Sequence, residues 1–214
     1  MEKYVSITFD DFFTSASSFV LDSISDYQLK FSFYASFGKL GEIFEEEDVH
    51  RLISQGHEIG CHTYSHFRAE NLKIPAFQSE LTLNSFGLKE IDSNYQMKNF
   101  AYPHGSQNRT LEYLLKERFH TCRTVQKGIN QITPIPFLLK ANKLYDCLDN
   151  WEEIAQLISK VSQEGGWLIF YTHDVSDTPS RFGCKSDLLK RTLDLALNSG
   201  CKVQSIEEVI NNYI

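Results

Sequence analysis

Short apolar segments alternate with longer amphipathic ones along nearly the whole chain, and this alternation restricts the fold more than any other feature. The short segments are rich in β-branched and aromatic residues, as buried strands are, whereas the longer ones repeat apolar residues at helical spacing. Strands that alternate with helices indicate βα units and a parallel sheet. The predicted strands cover residues 4–9, 30–35, 58–61, 98–102, 121–124, 167–171 and 202–204.

The predicted helices lie between these strands, and several have recognisable ends. Gly56 and Gly200 follow two of them at positions typical of a C-terminal stop, and Asn108 is a candidate N-cap. The predicted helices cover residues 15–25, 45–55, 108–119, 152–163, 185–198 and 206–212. About seven strands without a linker or repeat predict a single α/β domain over residues 1–214. A (β/α) barrel is the favoured architecture, and an open doubly wound sheet is the alternative.

Charge and cysteine usage exclude several classes of partner. The chain has 21 Lys and Arg against 28 Asp and Glu, a net charge of −7, and no basic run that would indicate nucleic-acid or anionic-membrane binding. No apolar run approaches the ~20 residues that span a bilayer, and the first nine residues lack the features of a secretory signal. Five cysteines without a C-x-x-C pair fit a reducing compartment, so we expect a cytoplasmic location.

Polar residues follow four of the predicted strands, at the end where βα folds bind their ligands. Asp10 and Asp11 follow the first strand, and a histidine-rich segment follows the third. His104 and His173 follow two later strands. Because the carboxyl ends of parallel strands meet at one face of a barrel, we expect these side chains to converge.

A metal site is the first chemistry that these residues indicate. His62 and His66 lie four residues apart, which places both on one face of a helical turn, and Asp11 supplies a carboxylate from another strand. Two imidazoles and one carboxylate suit zinc, with cobalt, manganese or iron as alternatives. Each piece alone has a structural explanation, because the histidines also fit an exposed helix start and the aspartates a solvated turn or N-cap.

Asp10 and His173 are candidates for proton transfer beside that metal. Neighbouring residues of an extended chain point apart, so Asp11 can bind the ion while Asp10 acts as base on a water molecule. His173 arrives from a distant strand and can protonate a leaving amine. A single histidine after a strand is more often structural, so its role depends on the other residues.

Taken in order, these segments resemble the polysaccharide deacetylases, the NodB-homology proteins that are also called carbohydrate esterase family 4. The resemblance spans residues 6–206 and is carried by four motifs. They are Thr8-Phe9-Asp10-Asp11, His62-Thr63-Tyr64-Ser65-His66, Phe100-Ala101-Tyr102-Pro103-His104-Gly105 and Thr172-His173-Asp174. The family implies a distorted (β/α) barrel, a divalent metal that is commonly zinc, and hydrolysis of an acetamido group on a sugar.

The resemblance also implies a role for each matching residue. Asp10 looks like the base and His173 like the general acid. The implied metal ligands are Asp11, His62 and His66. The implied supporting residues are Thr63, which steadies the histidine loop, and, as oxyanion or substrate contacts, the backbone N–H of His104 with Tyr102, Pro103, Tyr171 and Trp151.

The chain departs from the family pattern at several positions. Ala101 stands where the third motif usually carries an arginine that pairs with the base, so we expect the pKa of Asp10 to rise. Arg109 is the nearest replacement in sequence. Phe12 and Phe13 stand where the family has Gly and Pro, and they either reshape the pocket or pack in the core.

The segment that should carry the family's Asp-Trp motif is offset in this chain. Asp146 or Asp149 is expected to orient His173, unless Trp151 merely begins the next helix. The loop over residues 175–184 is long enough to cover the site and contact substrate.

The sequence therefore predicts a metal-dependent N-deacetylase that hydrolyses an N-acetylated amino sugar. Because no export signal is visible, the expected substrate is a cytoplasmic precursor of a surface polysaccharide, linked to a nucleotide or a lipid. A deformylase or a small-molecule amidohydrolase on the same scaffold is the alternative enzyme. A metal- or carbohydrate-binding module without turnover is the non-enzymatic alternative, and retention of both a base and an acid favours catalysis over it.

Overall fold

The molecule is built around a mainly parallel sheet, which the computed structural model describes together with its helices over residues 1–213. The strands are β1 (Lys3–Asp10), β2 (Ser32–Ala35), β3 (Glu58–Cys61), β4 (Asn99–Ala101), β5 (Thr121–Arg123), β6 (Ile129–Asn130), β7 (Leu138–Leu139), β8 (Asn142–Lys143), β9 (Gly166–Thr172) and β10 (Lys202–Val203). Seven of them fall on predicted segments. The other three, β6 to β8, have two residues each, too few to show a periodic pattern in the sequence.

The strands close into a nearly complete barrel. Their order is β6-β9-β1-β2-β3-β4-β5-β7, with β8 on β9 and β10 on β1, and of these pairs only β6 with β9 is antiparallel. The turn between β7 and β8 is short, so the chain itself links the β5–β7 edge to β9. The predicted distorted (β/α) barrel is confirmed, and the open doubly wound sheet does not form.

Seven α-helices accompany the strands in residues 1–213. They are α1 (Thr14–Ser18), α2 (Glu46–Ser54), α3 (Ile74–Ile91), α4 (Glu112–Lys116), α5 (Trp151–Glu164), α6 (Ser186–Asn198) and α7 (Ile206–Asn211). The first predicted helix divides into α1 and a π-helical turn, Phe19–Ser23, and the third shortens to a 3-10 turn followed by α4. None of these seven helices is both long and apolar enough to cross a membrane.

Helix α3 is absent from the sequence prediction because its buried face is partly polar. The buried positions are Phe77, Glu80, Leu81, Asn84 and Leu88. Glu80 and Asn84 interrupt the apolar stripe that would mark a helix packed on a core. Glu80 accepts a hydrogen bond from the backbone N–H of Ser65 at 2.7 Å, and Asn84 accepts one from Phe37 at 2.8 Å. The helix therefore holds the loops that follow β2 and β3.

Aromatic rings fill the core next to the loop that leaves β1. Phe12 is fully buried, and its ring centre lies 4.3 Å from that of Phe44 and 5.6 Å from that of Phe33. Phe12 therefore packs in the core, one of the two alternatives left open by the sequence, and Phe13 is the half-buried residue before α1. Burial of such a side chain stabilises the fold by roughly 1.5–3 kcal/mol, which anchors the loop that carries Asp11.

Candidate active site

One pocket of about 320 Å³ opens at the carboxyl ends of β1, β3, β4 and β9. Its walls contain Asp10, Asp11, His62, His66, His104 and His173, and Tyr171 stands beside them. A wider groove of about 830 Å³ opens at the amino ends of β1 and β9, away from these residues. The barrel thus gathers residues from four separate motifs at one place, as expected for polar residues that follow parallel strands.

Three of the predicted substrate contacts do not line this pocket. Tyr102 is 2% exposed and packs against the ring of Phe100 at 5.1 Å, and Pro103 is buried beside it. Trp151 begins α5, where the guanidinium of Arg191 lies 4.1 Å from the centre of its ring. These side chains support the fold around the site instead of forming its surface.

Four residues at or next to the pocket have a left-handed backbone, which side chains other than glycine rarely adopt. The φ angles are 57° for Asp11, 60° for Thr63, 57° for His66 and 56° for His104. Residues held in this region store strain of order 1 kcal/mol and need support from the surrounding structure. Their concentration here indicates that the barrel holds the functional side chains in position before any ligand binds.

Asp11, His62 and His66 form a set of three ligand atoms that lie within 4.8 Å of one another. Asp11 Oδ1 is 3.2 Å from His66 Nε2 and 3.8 Å from His62 Nε2. That oxygen is buried and has no hydrogen-bond donor among residues 1–213. A buried carboxylate oxygen without a donor, facing two imidazole nitrogens, is the arrangement that a cation completes.

The two histidines of this set are in the neutral form that binds a divalent cation, and the buried carboxylate of Asp11 is stabilised by an added positive charge. His62 Nδ1 donates to the carbonyl oxygen of Ala101 at 2.8 Å, which leaves the Nε2 lone pair directed at the site. Burial lowers the pKa of His62 well below its usual value and that of His66 to about 4, so both rings are neutral. Burial, with the charge of Asp10, raises the pKa of Asp11 to about 7. The donor set therefore fits zinc or a similar ion.

Asp10 is held by an arginine that the sequence analysis did not single out. Both carboxylate oxygens of Asp10 accept hydrogen bonds from Arg123, which is the last residue of β5 and is fully buried. The guanidinium lies over the rings of Tyr171 and Tyr34, at 4.9 and 5.4 Å from their centres. Burial is the largest influence and would raise the pKa of Asp10, but the opposing contributions, chiefly the charge and hydrogen bond of Arg123, together hold this pKa below its ordinary value.

His173 is oriented by a backbone carbonyl. Its Nδ1 donates to the carbonyl oxygen of Phe182 at 3.2 Å, and its Nε2 lies 4.0 Å from Asp11 Oδ2. The expectation that Asp146 or Asp149 orients it is therefore wrong. Asp146 pairs with a lysine at the start of α6 instead, and Asp149 is the left-handed residue that ends a 3-10 turn before α5.

The segment that supplies this carbonyl is folded tightly by its own hydrogen bonds. The carboxylate of Asp174 accepts from the backbone N–H of Ser180 at 2.7 Å and from its hydroxyl. The backbone N–H of Phe182 donates to Ser180 Oγ at 3.2 Å. Gly183 packs so closely that a Cβ atom there would lie 2.3 Å from Asp174 Oδ1. The predicted covering loop thus reaches the pocket and holds His173 at its edge.

The motifs and the geometry agree with a comparison to known families. A family model described as "Polysaccharide deacetylase" matches residues 1–121, more than half of the chain. The chain belongs to this family. A bifunctional xylanase/deacetylase of Pseudobutyrivibrio xylanivorans is 26% identical to it over 110 residues, which are 51% of the chain and 18% of that protein. The chain therefore spans less than a fifth of the length of this relative.

Solved structures of the family have the same fold. The chitin deacetylase of the fungal pathogen Colletotrichum lindemuthianum matches 98% of the chain with 88% of its own, at a TM-score of 0.69 and 16% identity. A family 4 pseudoenzyme from Bacillus anthracis matches 97% of the chain with 65% of its own, at a TM-score of 0.65 and 16% identity. At these identities the likeness establishes the fold, and an enzyme and a pseudoenzyme both share it.

Arg123 supplies the positive charge beside Asp10 that Ala101, at the position of the family's arginine, does not provide. The two residues are register partners on the adjacent parallel strands β4 and β5. The guanidinium that the sequence lacks in the third motif thus comes from the neighbouring strand, and the expected rise in the pKa of Asp10 does not occur. Arg109 lies in the turn before α4 and makes no ion pair with Asp10. A charged residue inside a buried strand was the available signal, because such burial requires a partner.

Proposed function

We propose that the chain is a metal-dependent N-deacetylase that hydrolyses the acetamido group of an amino sugar. The observation that carries this proposal is the placement of Asp10 and His173 around the Asp11–His62–His66 cluster in one pocket. A binding module needs the cluster but has no use for a carboxylate and an imidazole beside it. Polysaccharide deacetylase membership supports the reaction class.

Hydrolysis requires one proton to leave a water molecule and one to reach the departing nitrogen. Asp10 accepts the first proton as the water oxygen adds to the acyl carbon. His173 donates the second through Nε2 as the carbon–nitrogen bond breaks, giving acetate and a free amine. Burial, only partly offset by Asp10, lowers the pKa of His173, which makes its protonated form a stronger acid.

The negative charge that develops on the acyl oxygen also needs stabilisation. A divalent cation on Asp11, His62 and His66 would polarise this oxygen and lower the pKa of water at the site. The backbone N–H of His104 is the proposed hydrogen-bond donor, and one donor of this kind contributes roughly 3 kcal/mol. Thr63, buried in the histidine loop, is proposed to steady that loop.

The substrate proposed is a cytoplasmic precursor of a surface polysaccharide, handled by a single catalytic domain. Five free cysteines support this location, because a reducing compartment keeps thiols unpaired. A deformylase or another amidohydrolase would use the same residues. A pseudoenzyme of the family has the same fold, so this fold is also compatible with the non-catalytic alternative.

Metal analysis combined with acetate release tests the proposal. Purified protein should contain one divalent ion and should release acetate from members of a panel of N-acetylated sugars. Acetate release should stop after chelation and should resume when zinc is restored. Formate from N-formyl sugars without acetate would favour the deformylase. Bound metal without any acyl release would favour the binding module.

The Asp10→Asn variant is the sharper form of this test. It should retain the metal, because Asp10 is outside the ligand cluster, and lose about 10²–10⁴-fold in acetate release. Asp26→Asn, an exposed residue outside the pocket, is the matched control and should keep the wild-type rate. Full activity in Asp10→Asn would contradict the role of the base.

A further inference from the structure

The walls of the pocket carry basic side chains that do not pair with its carboxylates, although the chain has a net charge of −7. Among residues 1–213, Asp10 and Asp11 are the only carboxylates in its walls. Asp10 is neutralised by Arg123, and Asp11 belongs to the metal cluster. The walls also contain Lys143 and Arg68, so cations remain after the two acids are paired.

Lys143 is the cation most available to a ligand. It ends β8, next to Tyr171 of β9, and its Nζ lies 5.7 Å from the ring centre of Tyr145. Both tyrosines line the pocket. Within residues 1–213 no carboxylate lies within 4.0 Å of this ammonium, whereas the nearby Lys127 is paired with Glu153 at 2.8 Å. An ammonium held at a pocket wall without an internal partner is free to bind an anion.

A second unpaired cation lies next to the pocket, one residue before Phe182 of its wall. The guanidinium of Arg181 lies 4.4 Å from the ring centre of Phe182 and forms no ion pair within the described part of the chain. The ring of Phe182 lies 5.9 Å from that of Tyr145 and 5.4 Å from that of His173. Lys143 therefore lies by the ring of Tyr145 and Arg181 by the ring of Phe182. These two rings are adjacent and lie beside the proposed general acid.

Arg68 adds a third positive charge from the loop that follows the histidine motif. Its guanidinium is 3.6 Å from Glu70, and the two side chains are 50% and 52% exposed. An ion pair with this exposure contributes little, so Arg68 can exchange Glu70 for a ligand at small cost. The three cations together favour an anionic substrate.

We propose that the substrate carries a phosphate attached to the N-acetylated amino sugar, and that Lys143 and Arg181 bind that phosphate. The proposal rests on the proposed deacetylase function, and it specifies the class of sugar. A pocket of about 320 Å³ suits a small ligand such as one sugar ring, which leaves the phosphate at the rim. A lysine point charge and an arginine fork suit the several oxygens of a phosphate.

The test compares acetate release from four probes. The first is N-acetylglucosamine. The second and third are the same sugar phosphorylated on its anomeric hydroxyl and on its primary hydroxyl, and the fourth is N-acetylmuramic acid, which bears a carboxylate instead. We expect at least one phosphorylated sugar to exceed the neutral one by about tenfold in kcat/KM, a preference that shrinks as salt screens the charges.

Variants then test whether Lys143 and Arg181 cause the preference for phosphorylated sugars. Lys143→Gln should lower the ratio of kcat/KM for the phosphorylated over the neutral sugar by about fivefold, and Arg181→Gln by about twofold. Lys143→Glu should reverse the preference. Lys89→Gln makes the same change of charge on α3, away from the pocket, and should leave the ratio unchanged.

Each failure has a separate meaning. Equal kcat/KM for neutral and phosphorylated sugars, or a ratio insensitive to Lys143→Gln, would overturn the phosphate proposal and leave the deacetylase standing. A preference for N-acetylmuramic acid over both phosphorylated sugars would also overturn it. Acetate from none of the probes would count against the deacetylase. Calorimetry with the phosphorylated sugars would then test the phosphate site alone: weaker binding to Lys143→Gln than to wild type would support it, and equal binding would overturn it.

Discussion

The two sides of the pocket hold the proposed proton-transfer groups, Asp10 as base and His173 as acid, by different means. On the base side, Asp10 ends β1 and is paired with Arg123 of β5, both buried within the barrel. On the acid side, His173 follows β9 and is held by the carbonyl of Phe182, which is 41% exposed. One side depends on charge inside a sheet, and the other on the folding of a surface segment.

This difference predicts which perturbations will be severe. A buried ion pair broken on one side leaves an uncompensated charge in the core, typically a loss of about 3–5 kcal/mol of stability. A misplaced surface segment costs about as much as a few hydrogen bonds but displaces the imidazole of the proposed general acid, and small displacements lower rates steeply. Base-side variants should therefore lose stability and activity together, whereas acid-side variants should lose mainly activity.

Arg123→Ala should have the largest effect. It leaves Asp10 buried without a partner, so we expect the free energy of unfolding to fall by about 3–5 kcal/mol and acetate release by at least about 10²-fold. Chemical denaturation and steady-state kinetics measure the two losses. Wild-type stability in this variant would mean that the pair is not coupled to the fold.

Moving the guanidinium to the neighbouring strand tests whether its charge is sufficient or whether its position on β5 is also required. Ala101 is the register partner of Arg123, and paired strands lie about 4.8 Å apart, so Ala101→Arg combined with Arg123→Ala should recover part of both losses. Asp10→Asn combined with Arg123→Ala should recover stability without activity. Recovery of neither property in the relocated double variant would show that the Tyr34–Tyr171 surroundings, and not the charge alone, are required.

Gly183→Ala tests the acid side with a smaller effect on stability. The new Cβ would lie 2.3 Å from Asp174 Oδ1 and 2.6 Å from the Asp174 carbonyl oxygen, so the segment must shift and carry the Phe182 carbonyl with it. We expect about a 1–3 kcal/mol loss of stability and about a tenfold loss of kcat on an acetamido sugar.

The choice of leaving group gives this variant its control. A phenolate needs no proton from His173 to depart, so Gly183→Ala should hydrolyse 4-nitrophenyl acetate at close to the wild-type rate. Arg123→Ala should lose ester and amide hydrolysis alike, since the proposed mechanism uses Asp10 as base in both. Equal losses on both substrates in Gly183→Ala would remove the distinction between the two sides.

The same division explains what the sequence could predict. The Asp11, His62 and His66 cluster follows from local spacing at strand ends, and the barrel follows from alternating segments. The partner of Asp10 depends on which strands are neighbours, and the pairing of β4 with β5 is a tertiary fact. The partner of His173 is a backbone carbonyl, which every residue carries and no sequence pattern marks.

Helix α3 escaped prediction for a related reason. Its buried Glu80 and Asn84 are satisfied by backbone groups of distant loops, so their burial becomes intelligible only when those loops are in place. Where a polar side chain meets a partner from another part of the chain, its sequence neighbourhood resembles a surface.

Ser180→Ala should have the smallest effect of the series and is the finest test of the acid side. It removes the hydroxyl that links Asp174 to the N–H of Phe182, two hydrogen bonds in an exposed segment. We expect less than about 1.5 kcal/mol of lost stability and about a two- to fivefold loss of kcat on the amide.

Ester hydrolysis should again be spared, because the water-activating residues are untouched. Ser180→Thr retains the hydroxyl and should restore the amide rate. An amide rate that does not change in Ser180→Ala would show that the remaining hydrogen bonds suffice to hold the segment, among them those to Asp174 from the backbone N–H of Ser180 and of Cys184, at 2.7 and 3.0 Å. The contrast with Arg123 would then be greater, since loss of this polar side chain would leave the position of His173 unchanged.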